Sequence, residues 1–484
     1  MENSPISQKV HFETLGCRLN QAESEGAARF FSDAGFEIDF SSVLASQKEA
    51  EDVFLCIINT CTVTAKAEQK ARRIIRLLLQ KFPLSAVLVT GCYAELDYEE
   101  IASIDDCAEK KRIFVLRGRE KSRLSELPAV IKNAKGDVFS SISEFLKDSK
   151  IENESRKIVS PFTLSTNSFF DHSRATLKIQ DGCDCVCTYC RIRLARGKSE
   201  SLSADEVVRR VQELENAHYA EVVLSSVNGS LYRSKITDAD GNTKTIGFSS
   251  LLRIILEKTQ KIGIRISSLY PGSVDEEFAE VAKNPRVRPH FHISLQSGSD
   301  SILSKMKRPY TVQNVKNAVS LLKNAKKDPF FSCDVIAGFP GETEADFSLT
   351  MKLLEECGFT SVHAFPFSAR PGTEAFSMRP KIPSSISKKR VSILEDFSNQ
   401  KKEAFIARQA GKIVCAVTEN VRRSRSPLSG MEVHALTENF LHCVLLVNDK
   451  TRIPKAGSEV RVKIVRPLSK SEKTGELDAK AELV

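Results

Sequence analysis

Residues 176–197 have the sequence TLKIQDGCDCVCTYCRIRLARG, and the organisation of the whole chain follows from this stretch. A short apolar segment typical of a β-strand, residues 177–179, leads into a loop in which Cys183, Cys187 and Cys190 have the spacing C-x3-C-x2-C. Zinc fingers use C-x2-4-C pairs that are repeated at a distance or completed by histidines, so this spacing does not fit them. Three thiolates on one loop can hold three irons of a cubane cluster and leave the fourth iron open to a small molecule.

Two neighbouring residues bear on this interpretation. Tyr189 directly precedes the last cysteine, where its ring and backbone can lie against an adenine. Cys185 could replace Cys183 as a ligand, but the C-x3-C spacing favours Cys183. The alternative interpretation is a zinc knuckle or a chance cluster of thiols, and the open-iron spacing favours the cubane cluster.

The composition indicates a globular protein of two or three domains without a membrane span. The 484 residues are 41% hydrophobic and 27% charged. No window approaches the roughly 18 consecutive apolar residues of a transmembrane helix. The first residues lack the pattern of a signal peptide, so we expect a cytoplasmic protein whose 13 cysteines are metal ligands or small core residues. A net charge of +9 suits a nucleic-acid partner, although charge alone does not identify one.

The amino-terminal part of the chain alternates strand and helix patterns, which predicts an open α/β sheet. Predicted helices cover residues 20–34 and 65–81, and predicted strands cover residues 10–14, 53–58, 86–90 and 113–116. Just past the carboxyl ends of successive strands lie Cys17, Cys61 and Cys92. Ligands bind at this edge of such sheets, so we expect three thiolates to converge there. The alternative is that they are ordinary buried cysteines, which is our interpretation of Cys56 within VFLCII.

The middle of the chain predicts a barrel of six βα units. Residues 135–174 are polar, and we expect them to form a linker with little core of its own. About residues 173–409 then contain strand patterns separated by helices, beginning near residues 176, 221, 263, 291, 331 and 361. Six units predict a (β/α)6 barrel that is open on one side, in place of the eight units of a closed TIM barrel.

Polar and glycine-rich turns follow several of these strands, at the end where barrel active sites form. They are SSVNGS, SLQSGSD, AGFPGETE and FPFSARPGT. Within the third, glycines permit a tight turn through which the backbone can approach a nucleotide base. Each turn is common by itself, but together with the cysteine loop they predict a cofactor site. Its expected residues are Tyr189, Asn228, Gln296, Gly338 and Gly341.

The last part of the chain changes to short alternating strands separated by turns, which predicts a small antiparallel β-barrel. Arg422, Arg423 and Arg425 lie in a loop between its first strands, and a small basic barrel appended to an enzyme is typical of RNA binding. A solvated basic surface is the alternative. The final residues, KSEKTGELDAKAELV, are expected to form a frayed tail.

With these three parts in this order, the chain resembles the radical S-adenosylmethionine (SAM) methylthiotransferases over about residues 9–470. The motif C-x3-C-x-aromatic-C is the hallmark of radical-SAM enzymes. The resemblance implies an auxiliary-cluster domain at residues 8–150, a radical-SAM barrel at residues 171–405 and a TRAM-like RNA-binding domain at residues 408–470. It also implies SAM and two 4Fe-4S clusters as cofactors. The implied auxiliary ligands are Cys17, Cys61 and Cys92, and the implied radical-SAM ligands are Cys183, Cys187 and Cys190.

The resemblance further implies a reaction and its partners. In this family, one electron cleaves SAM to a 5′-deoxyadenosyl radical, which removes hydrogen from the substrate. The auxiliary cluster then carries a methylthio group to the substrate radical, and a second SAM supplies the methyl. The implied partners are a tRNA anticodon stem-loop, a reduced electron donor such as flavodoxin or ferredoxin, and a sulfur source.

The branches of the family differ in substrate, which is isopentenyladenosine or threonylcarbamoyladenosine in tRNA, or an aspartate of a ribosomal protein. The stretches TLGCRLNQAESE, HISLQSGSD and HAFPFSARPGTEA are most similar to the threonylcarbamoyladenosine branch. The expected product is therefore that nucleoside, at tRNA position 37, carrying a methylthio group on carbon 2. The sequence departs from the family pattern at four positions: Arg193 and Leu194 replace Pro-Tyr, Ser226 replaces Gly, and Tyr270 replaces the more frequent Glu.

The threonyl carboxylate of such a substrate needs a cationic partner in a dry site, and Arg370, Arg193 or Arg196 could supply a bidentate contact. A non-catalytic iron–sulfur RNA-binding protein is the alternative from a different class of function. A cobalamin-using radical enzyme is a third interpretation. The sequence has no obvious His-containing cobalamin loop, which argues against it.

Overall fold

A computed structural model provides the structure of the chain. It describes residues 8–105, 111–133, 137–150, 159–170, 173–237, 241–423, 431–447, 453–468 and 478–484. The chain packs as two compact units, and each is described by itself. The first consists of residues 1–171, 181–185 and 190–200, and the second of residues 172–180, 186–189 and 201–484. None of the described helices has the length and apolarity that crossing a membrane requires.

The first unit is built on a parallel five-stranded sheet in the order β2-β1-β3-β4-β5. Its strands are β1 (Lys9–Thr14), β2 (Glu37–Asp39), β3 (Val53–Thr60), β4 (Ala86–Gly91) and β5 (Ile113–Val115). Every residue of β3 and β4 is buried, which is the pattern of central strands that are covered on both faces. The predicted open α/β sheet is confirmed, whereas the short edge strand β2 lacks a sequence pattern of its own.

Helices cover both faces of this sheet. They are α1 (Arg18–Asp33), α2 (Ala65–Lys81), α3 (Cys92–Leu96), α4 (Tyr98–Ala102), α5 (Leu127–Asn133) and α6 (Val138–Lys150). Because side chains alternate along a strand, Leu55 and Ile57 pack towards α1 and α6, while Cys56 and Ile58 pack towards α2. Cys56 is fully buried, as its apolar surroundings predict.

The prediction of a polar linker at residues 135–174 is wrong for much of this segment. The helix α6 places Ile142 and Phe145 in the core of the first unit, and Leu164 joins the same core. Serine, lysine and acidic residues dominate the composition of α6, so its single apolar stripe was not apparent from composition alone. Residues 151–158 lie outside the described part of the chain.

The second unit contains the predicted six long parallel strands. They are β6 (Ala175–Asp181), β8 (Glu221–Ser226), β11 (Gly263–Ile266), β12 (His290–Gln296), β13 (Phe330–Ala337) and β14 (Ser361–Pro366). Parallel pairing runs in the order β6-β8-β11 and β12-β13-β14, and parallel bridges from Ile264 to Val287 and from Leu269 to Ile293 join the two groups. The partial (β/α)6 barrel is therefore confirmed. Three short strands accompany it: β7 (Glu200–Ser201) and a hairpin of β9 (Ser234–Thr237) and β10 (Thr243–Ile246).

Helices follow the barrel strands, as βα units require. The loop after β6 leads to α7 (Ile192–Arg196), which belongs to the first unit. The helices of the second unit are α8 (Ala204–Asn216), α9 (Phe248–Lys258), α10 (Glu276–Ala282), α11 (Asp300–Lys305), α12 (Val312–Ala325), α13 (Glu344–Cys357) and α14 (Ser384–Gln409).

The carboxyl-terminal part of the second unit is a closed five-stranded barrel in the order β15-β16-β17-β19-β18. Its strands are β15 (Ile413–Arg423), β16 (Met431–Thr437), β17 (His442–Val447), β18 (Glu459–Pro467) and β19 (Ala479–Leu483). The expected frayed tail is wrong for β19, which pairs with β18 and closes the barrel. The β17–β19 pair is parallel, so the barrel is not antiparallel throughout.

Candidate functional site

The carboxyl edge of the first sheet brings Cys17, Cys61 and Cys92 together. Cys17 precedes α1, Cys61 follows β3, and Cys92 begins α3 directly after β4. Each of the three thiols lies within electrostatic range of the other two. Burial raises the pKa of the Cys61 thiol to about 12, so an unliganded Cys61 stays protonated and a positive metal centre would favour its thiolate.

Glycines allow these loops to approach one another closely. Gly16 has φ +101°, and a Cβ atom there would lie 2.5 Å from Cys61 Cβ. Gly91 has φ +100°, and its Cβ would lie 2.4 Å from the Thr60 carbonyl oxygen. A side chain at either position would therefore collide with the neighbouring loop. Close packing therefore explains why glycine precedes Cys17 and Cys92.

Asn20 and Arg196 connect the thiol loops to one another. Asn20 Nδ2 donates to the carbonyl oxygens of Leu15 and Thr60 at 2.8 and 3.0 Å, which ties the first loop to the second. Arg196 donates to Asn20 Oδ1 at 2.7 Å. Arg196 also contacts Asp181 Oδ1 at 2.8 Å and Glu23 Oε1 at 3.0 Å. Burial opposes the charge of Arg196, but these two carboxylates keep its pKa raised.

A cavity of about 340 Å³ lies beside this network within the first unit. Four basic residues line it together with Asp181 and Glu200, and the basic residues are Arg119, Lys121, Arg196 and Lys198. Lys121 also pairs with the buried Glu23. The excess of basic residues favours a small anion over a cation.

The loop after β6 carries Cys183, Cys187 and Cys190. In the first unit, the Cys183 thiol is hydrogen-bonded to Cys185, which raises the pKa of Cys183 together with burial. Arg191, next to Cys190, donates to Glu68 at 3.1 Å and to Asp97 at 3.2 Å, and this anchors the end of the loop. Arg193, one of the predicted substrate contacts, is exposed on α7.

In the second unit, Arg308 organises the surroundings of Cys187. Its Nη1 lies 3.3 Å from Cys187 Sγ, 3.3 Å from Tyr189 Oη and 3.0 Å from Tyr270 Oη. The guanidinium also lies over the rings of Tyr270 and Tyr310, with its Cζ 4.4 and 4.8 Å from their centroids. Arg308 was not predicted as a site residue, because its surrounding sequence KMKRPYT has no recognisable ligand spacing.

Four of the five predicted cofactor residues lie on or beside β12, β13 and the turn that follows β13. Tyr189 packs edge-on against Phe339, which lies between Gly338 and Gly341. Gly338 has φ +79° and its N–H donates to Glu342 at 2.6 Å, so Glu342 holds the turn closed. Gln296 ends β12 and pairs in register with Val335. The Asn228 carboxamide oxygen accepts from Ser230, which fixes the turn after β8.

The remaining predicted contacts fall on two other segments. Arg370 is buried at 3% exposure in the loop after β14. The backbones of Arg422 and Arg423 pair with β16 at the end of β15, so the prediction that these two residues lie in a loop is wrong. The side chains of both residues, and all of Arg425, lie outside the described part of the chain.

Two protein-family models match the chain. The Radical SAM superfamily matches residues 177–354, and the Uncharacterized protein family UPF0004 matches residues 9–110. The threonylcarbamoyladenosine tRNA methylthiotransferase MtaB of Treponema pallidum (strain Nichols) is 39% identical, and the alignment covers 94% of this chain and 98% of that protein. The chain belongs to the radical-SAM methylthiotransferase family.

Other relatives agree with this assignment. MtaB of Bacillus subtilis (strain 168) is 30% identical over 94% of both chains. The tRNA-2-methylthio-N(6)-dimethylallyladenosine synthase of Salmonella arizonae is also 30% identical, over 90% of this chain and 86% of that protein. Among solved structures, the radical SAM methyltransferase TsrM of Kitasatospora setae is similar in fold, with a TM-score of 0.51 and 14% identity over 76% of this chain and 74% of that one. Members of this methylthiotransferase family use SAM and 4Fe-4S clusters.

Proposed function

We propose that this methylthiotransferase adds a methylthio group to carbon 2 of N6-threonylcarbamoyladenosine at position 37 of tRNA. The observation that carries the proposal is the meeting of Cys17, Cys61 and Cys92 at one sheet edge, in a chain 39% identical to an enzyme named for that nucleoside. A relative named for dimethylallyladenosine is 30% identical to this chain, so that nucleoside is the competing substrate.

The residues present fit the cofactors of the family. Cys17, Cys61 and Cys92 would hold one 4Fe-4S cluster, and Cys183, Cys187 and Cys190 the other. Each set offers three thiols, which suits a cubane with one open iron. Tyr189, Asn228, Gln296, Gly338 and Gly341 would line the SAM site. When bound, the clusters supply the electron that cleaves SAM and the sulfur that joins the substrate. The protein's own part is to hold both sets of ligands and to position the adenine.

Iron analysis tests the ligand sets. Anaerobic reconstitution should give about eight irons per chain, because each set would hold one cubane. Replacing Cys187 by Ala should remove about half of the iron and abolish SAM cleavage. Replacing Cys61 by Ala should remove the other half and leave cleavage of SAM to 5′-deoxyadenosine. Cys56→Ala is the matched control, because Cys56 is buried in the core. Full iron in the Cys61 variant would contradict the auxiliary-site assignment.

A competition assay tests the substrate. The reconstituted enzyme would receive tRNA carrying threonylcarbamoyladenosine, tRNA carrying isopentenyladenosine, and the ribosomal protein, and the products would be measured by mass spectrometry. We expect methylthiolation of the first. Preference for either of the others would contradict the substrate while leaving the reaction class intact, and no product from any of them would favour a non-catalytic RNA-binding protein.

The cationic partner of the substrate carboxylate is assigned among three arginines. Arg370 is buried near the carboxyl end of β14, where a barrel substrate binds. Arg196 already has two carboxylate partners, and Arg193 is exposed to solvent. A buried guanidinium in a dry site gives a strong bidentate contact to a carboxylate. Burial and position after β14 favour Arg370 for this role.

The remaining partners are proposed from the same chemistry. The anticodon stem-loop would contact Arg422, Arg423 and Arg425 through its phosphates. A reduced flavodoxin or ferredoxin would supply the electron, in the cytoplasm. The basic cavity beside Arg196 suits a small anionic sulfur source such as hydrosulfide. Each of these assignments extends the proposed reaction and depends on it.

A further inference from the structure

Three polar side chains meet inside the six-stranded barrel of the second unit, and none of them is among the residues proposed above to hold the iron–sulfur clusters or SAM. They are His292 on β12, Asp334 on β13 and His363 on β14. His292 Nε2 lies 3.0 Å from Asp334 Oδ2, and His363 Nδ1 lies 3.5 Å from Asp334 Oδ1. The two imidazole centroids are 5.2 Å apart. Parallel pairing places Asp334 beside His363 in register, so the strands themselves hold the group together.

Hydrogen bonds on the buried side of this His292–Asp334–His363 cluster fix the orientation of His292. The Ser332 hydroxyl lies 2.9 Å from His292 Nδ1 and 3.1 Å from His290 Nε2. Ser332 therefore holds His292 so that its other nitrogen faces Asp334. His290 is itself stacked on Phe440 of the small barrel, with ring centroids 3.7 Å apart. The cluster is rigid on its buried side.

On its other side the cluster is open. Exposure of the side chains rises from 10% for His292 to 29% for Asp334 and 51% for His363. Phe365 lies two residues after His363, on the same face of β14, and is 41% exposed. An ion pair that only stabilised the core would have no need of a half-exposed imidazole or an exposed aromatic ring beside it. The arrangement is typical of a binding site with a polar floor and an apolar wall.

The chemistry of the cluster indicates what it binds. Asp334 oxygens accept hydrogen bonds, while His363 Nδ1 faces Asp334 and its Nε2 faces away from that carboxylate. The site thus offers a carboxylate acceptor and an imidazole to a group that has both N–H or O–H donors and a carbonyl acceptor. Asp334 is negatively charged, so an uncharged hydrogen-bonding group suits the site better than a second carboxylate.

We propose that Asp334 and His363, oriented by His292, bind the ureido and hydroxyl groups of the threonylcarbamoyl substituent, with Phe365 packed against the adenine base. This inference rests on the proposed function and deepens it, since it assigns the residues that recognise the substituent. The threonyl carboxylate is left to Arg370. A dimethylallyl substituent has no hydrogen-bonding groups. It would cover Asp334 and His363 without offering them hydrogen-bond partners, so it should bind more weakly.

The test is equilibrium binding of anticodon stem-loop RNAs to the reconstituted protein, which requires no turnover. Three RNAs would carry threonylcarbamoyladenosine, isopentenyladenosine or unmodified adenosine at position 37. The unsubstituted protein should bind the first at least about tenfold more tightly than the other two. His363→Phe should reduce this difference severalfold, and the carboxylate contact of Arg370 accounts for the remainder. His363→Asn retains a donor towards Asp334 but lacks Nε2, and should reduce the difference to a similar extent. His218→Asn, at an exposed histidine of the same unit, should retain the difference in full.

The outcomes separate this inference from the proposed function. If the unsubstituted protein prefers isopentenyladenosine RNA, the proposed function itself fails. If it prefers threonylcarbamoyladenosine RNA and both His363 variants retain that preference undiminished, only the present inference is overturned. Metal analysis runs beside the binding assay. One zinc or manganese per chain, lost on substitution of His363, would overturn substituent binding in favour of a cation site. Iron content near that of the unsubstituted protein would show that the variants are folded.

Discussion

Arg308 shows how a single residue can determine the surroundings of Cys187, a proposed cluster ligand. Its guanidinium reaches Cys187, Tyr189 and Tyr270 together, which a planar fork of five donors permits. Tyr270 is one of the four positions at which the family resemblance predicts a different residue. In this chain the phenol accepts a hydrogen bond from Arg308 and lies under its positive charge.

We predict that Arg308→Lys slows SAM cleavage roughly tenfold or more, because a charged hydrogen bond contributes ~1.5–3 kcal/mol and an ammonium cannot reach all three partners. Loss of the N–H···S contact should also lower the midpoint potential of the radical-SAM cluster, since that contact favours its reduced form. The measurements are 5′-deoxyadenosine formation and redox titration. Arg253→Lys, on a side chain 49% exposed, is the control. An unchanged potential with unchanged cleavage would contradict this role.

Glu221 is a second residue whose surroundings determine its behaviour, because it carries a buried charge. It accepts two hydrogen bonds from Arg265, at 2.6 and 2.9 Å, and one from Arg288 at 3.0 Å. Burial alone would raise the pKa of Glu221, but Arg265, Arg174 and Arg288 lower it to about 2. Replacing Glu221 by Gln would leave these buried arginines without their counter-charge, so we predict a loss of about 3–5 kcal/mol in the free energy of unfolding near pH 7.

The sign of the pH dependence follows from the lowered pKa. The carboxylate stabilises the folded state above its ordinary pKa of 4.5, and this stabilisation is lost as pH falls towards about 2. The difference between the unsubstituted protein and Glu221→Gln should therefore shrink in urea unfolding from pH 7 to pH 3. Glu277→Gln, at a side chain 43% exposed, should change stability by less than ~1 kcal/mol at either pH. Equal stability losses for both variants would refute the argument.

Among the elements, β19 has a larger structural role than its position at the end of the chain suggests. Ala479 and Ala481 are buried in the core of the small barrel, and β19 pairs with both β17 and β18. Without it, two strands would present unpaired edges and the barrel would be open. The same barrel packs on the six-stranded one through His290 and Phe440 and through Arg288 and Glu459.

We predict that ending the chain after residue 468 loosens the small barrel. The removed strand satisfies backbone groups on two neighbours, so trypsin should cleave β15–β18 faster in the shortened protein. Removing Val484 alone, which is 64% exposed and donates a single backbone hydrogen bond to Arg461, should change the cleavage rate far less. Limited proteolysis followed by mass spectrometry measures both rates. Equal resistance in the two shortened proteins would mean that the barrel holds without its fifth strand.

For the whole molecule, the net charge of +9 is a sum over all residues and does not say where the charges lie. RNA binding depends on their positions. Replacing Arg422, Arg423 and Arg425 by Ser lowers the net charge by three, and should weaken tRNA binding and flatten its salt dependence. Each lost phosphate contact reduces the slope of log K against log salt by about 0.7–0.9. Replacing the exposed Lys283, Lys352 and Lys388 by Ser removes the same charge and should reduce the slope far less. Equal slopes for the two triple variants would contradict specific phosphate contacts.

The sequence by itself determined the spacing of the cysteines and most of the local elements, with β2, α6 and β19 as exceptions. Helix α2 runs from Ala65 to Lys81 as its periodicity predicts, and all six barrel strands lie where apolar runs place them. These features depend on residues that are close together in the sequence, so the periodicity of apolar residues predicts them. The C-x3-C-x2-C spacing belongs to the same class, because one loop presents all three thiols.

Only the tertiary structure decided which distant residues meet. Arg196 is 173 positions from Glu23, and Arg308 is 121 positions from Cys187. Asp334 is joined to His292 and His363 by pairing between separate strands. The strand β19 is recognisable only from its pairing with β17 and β18, which closes the barrel. Each of these contacts forms because burial leaves a charged or backbone group in need of a partner, and the fold alone determines which partner lies within reach.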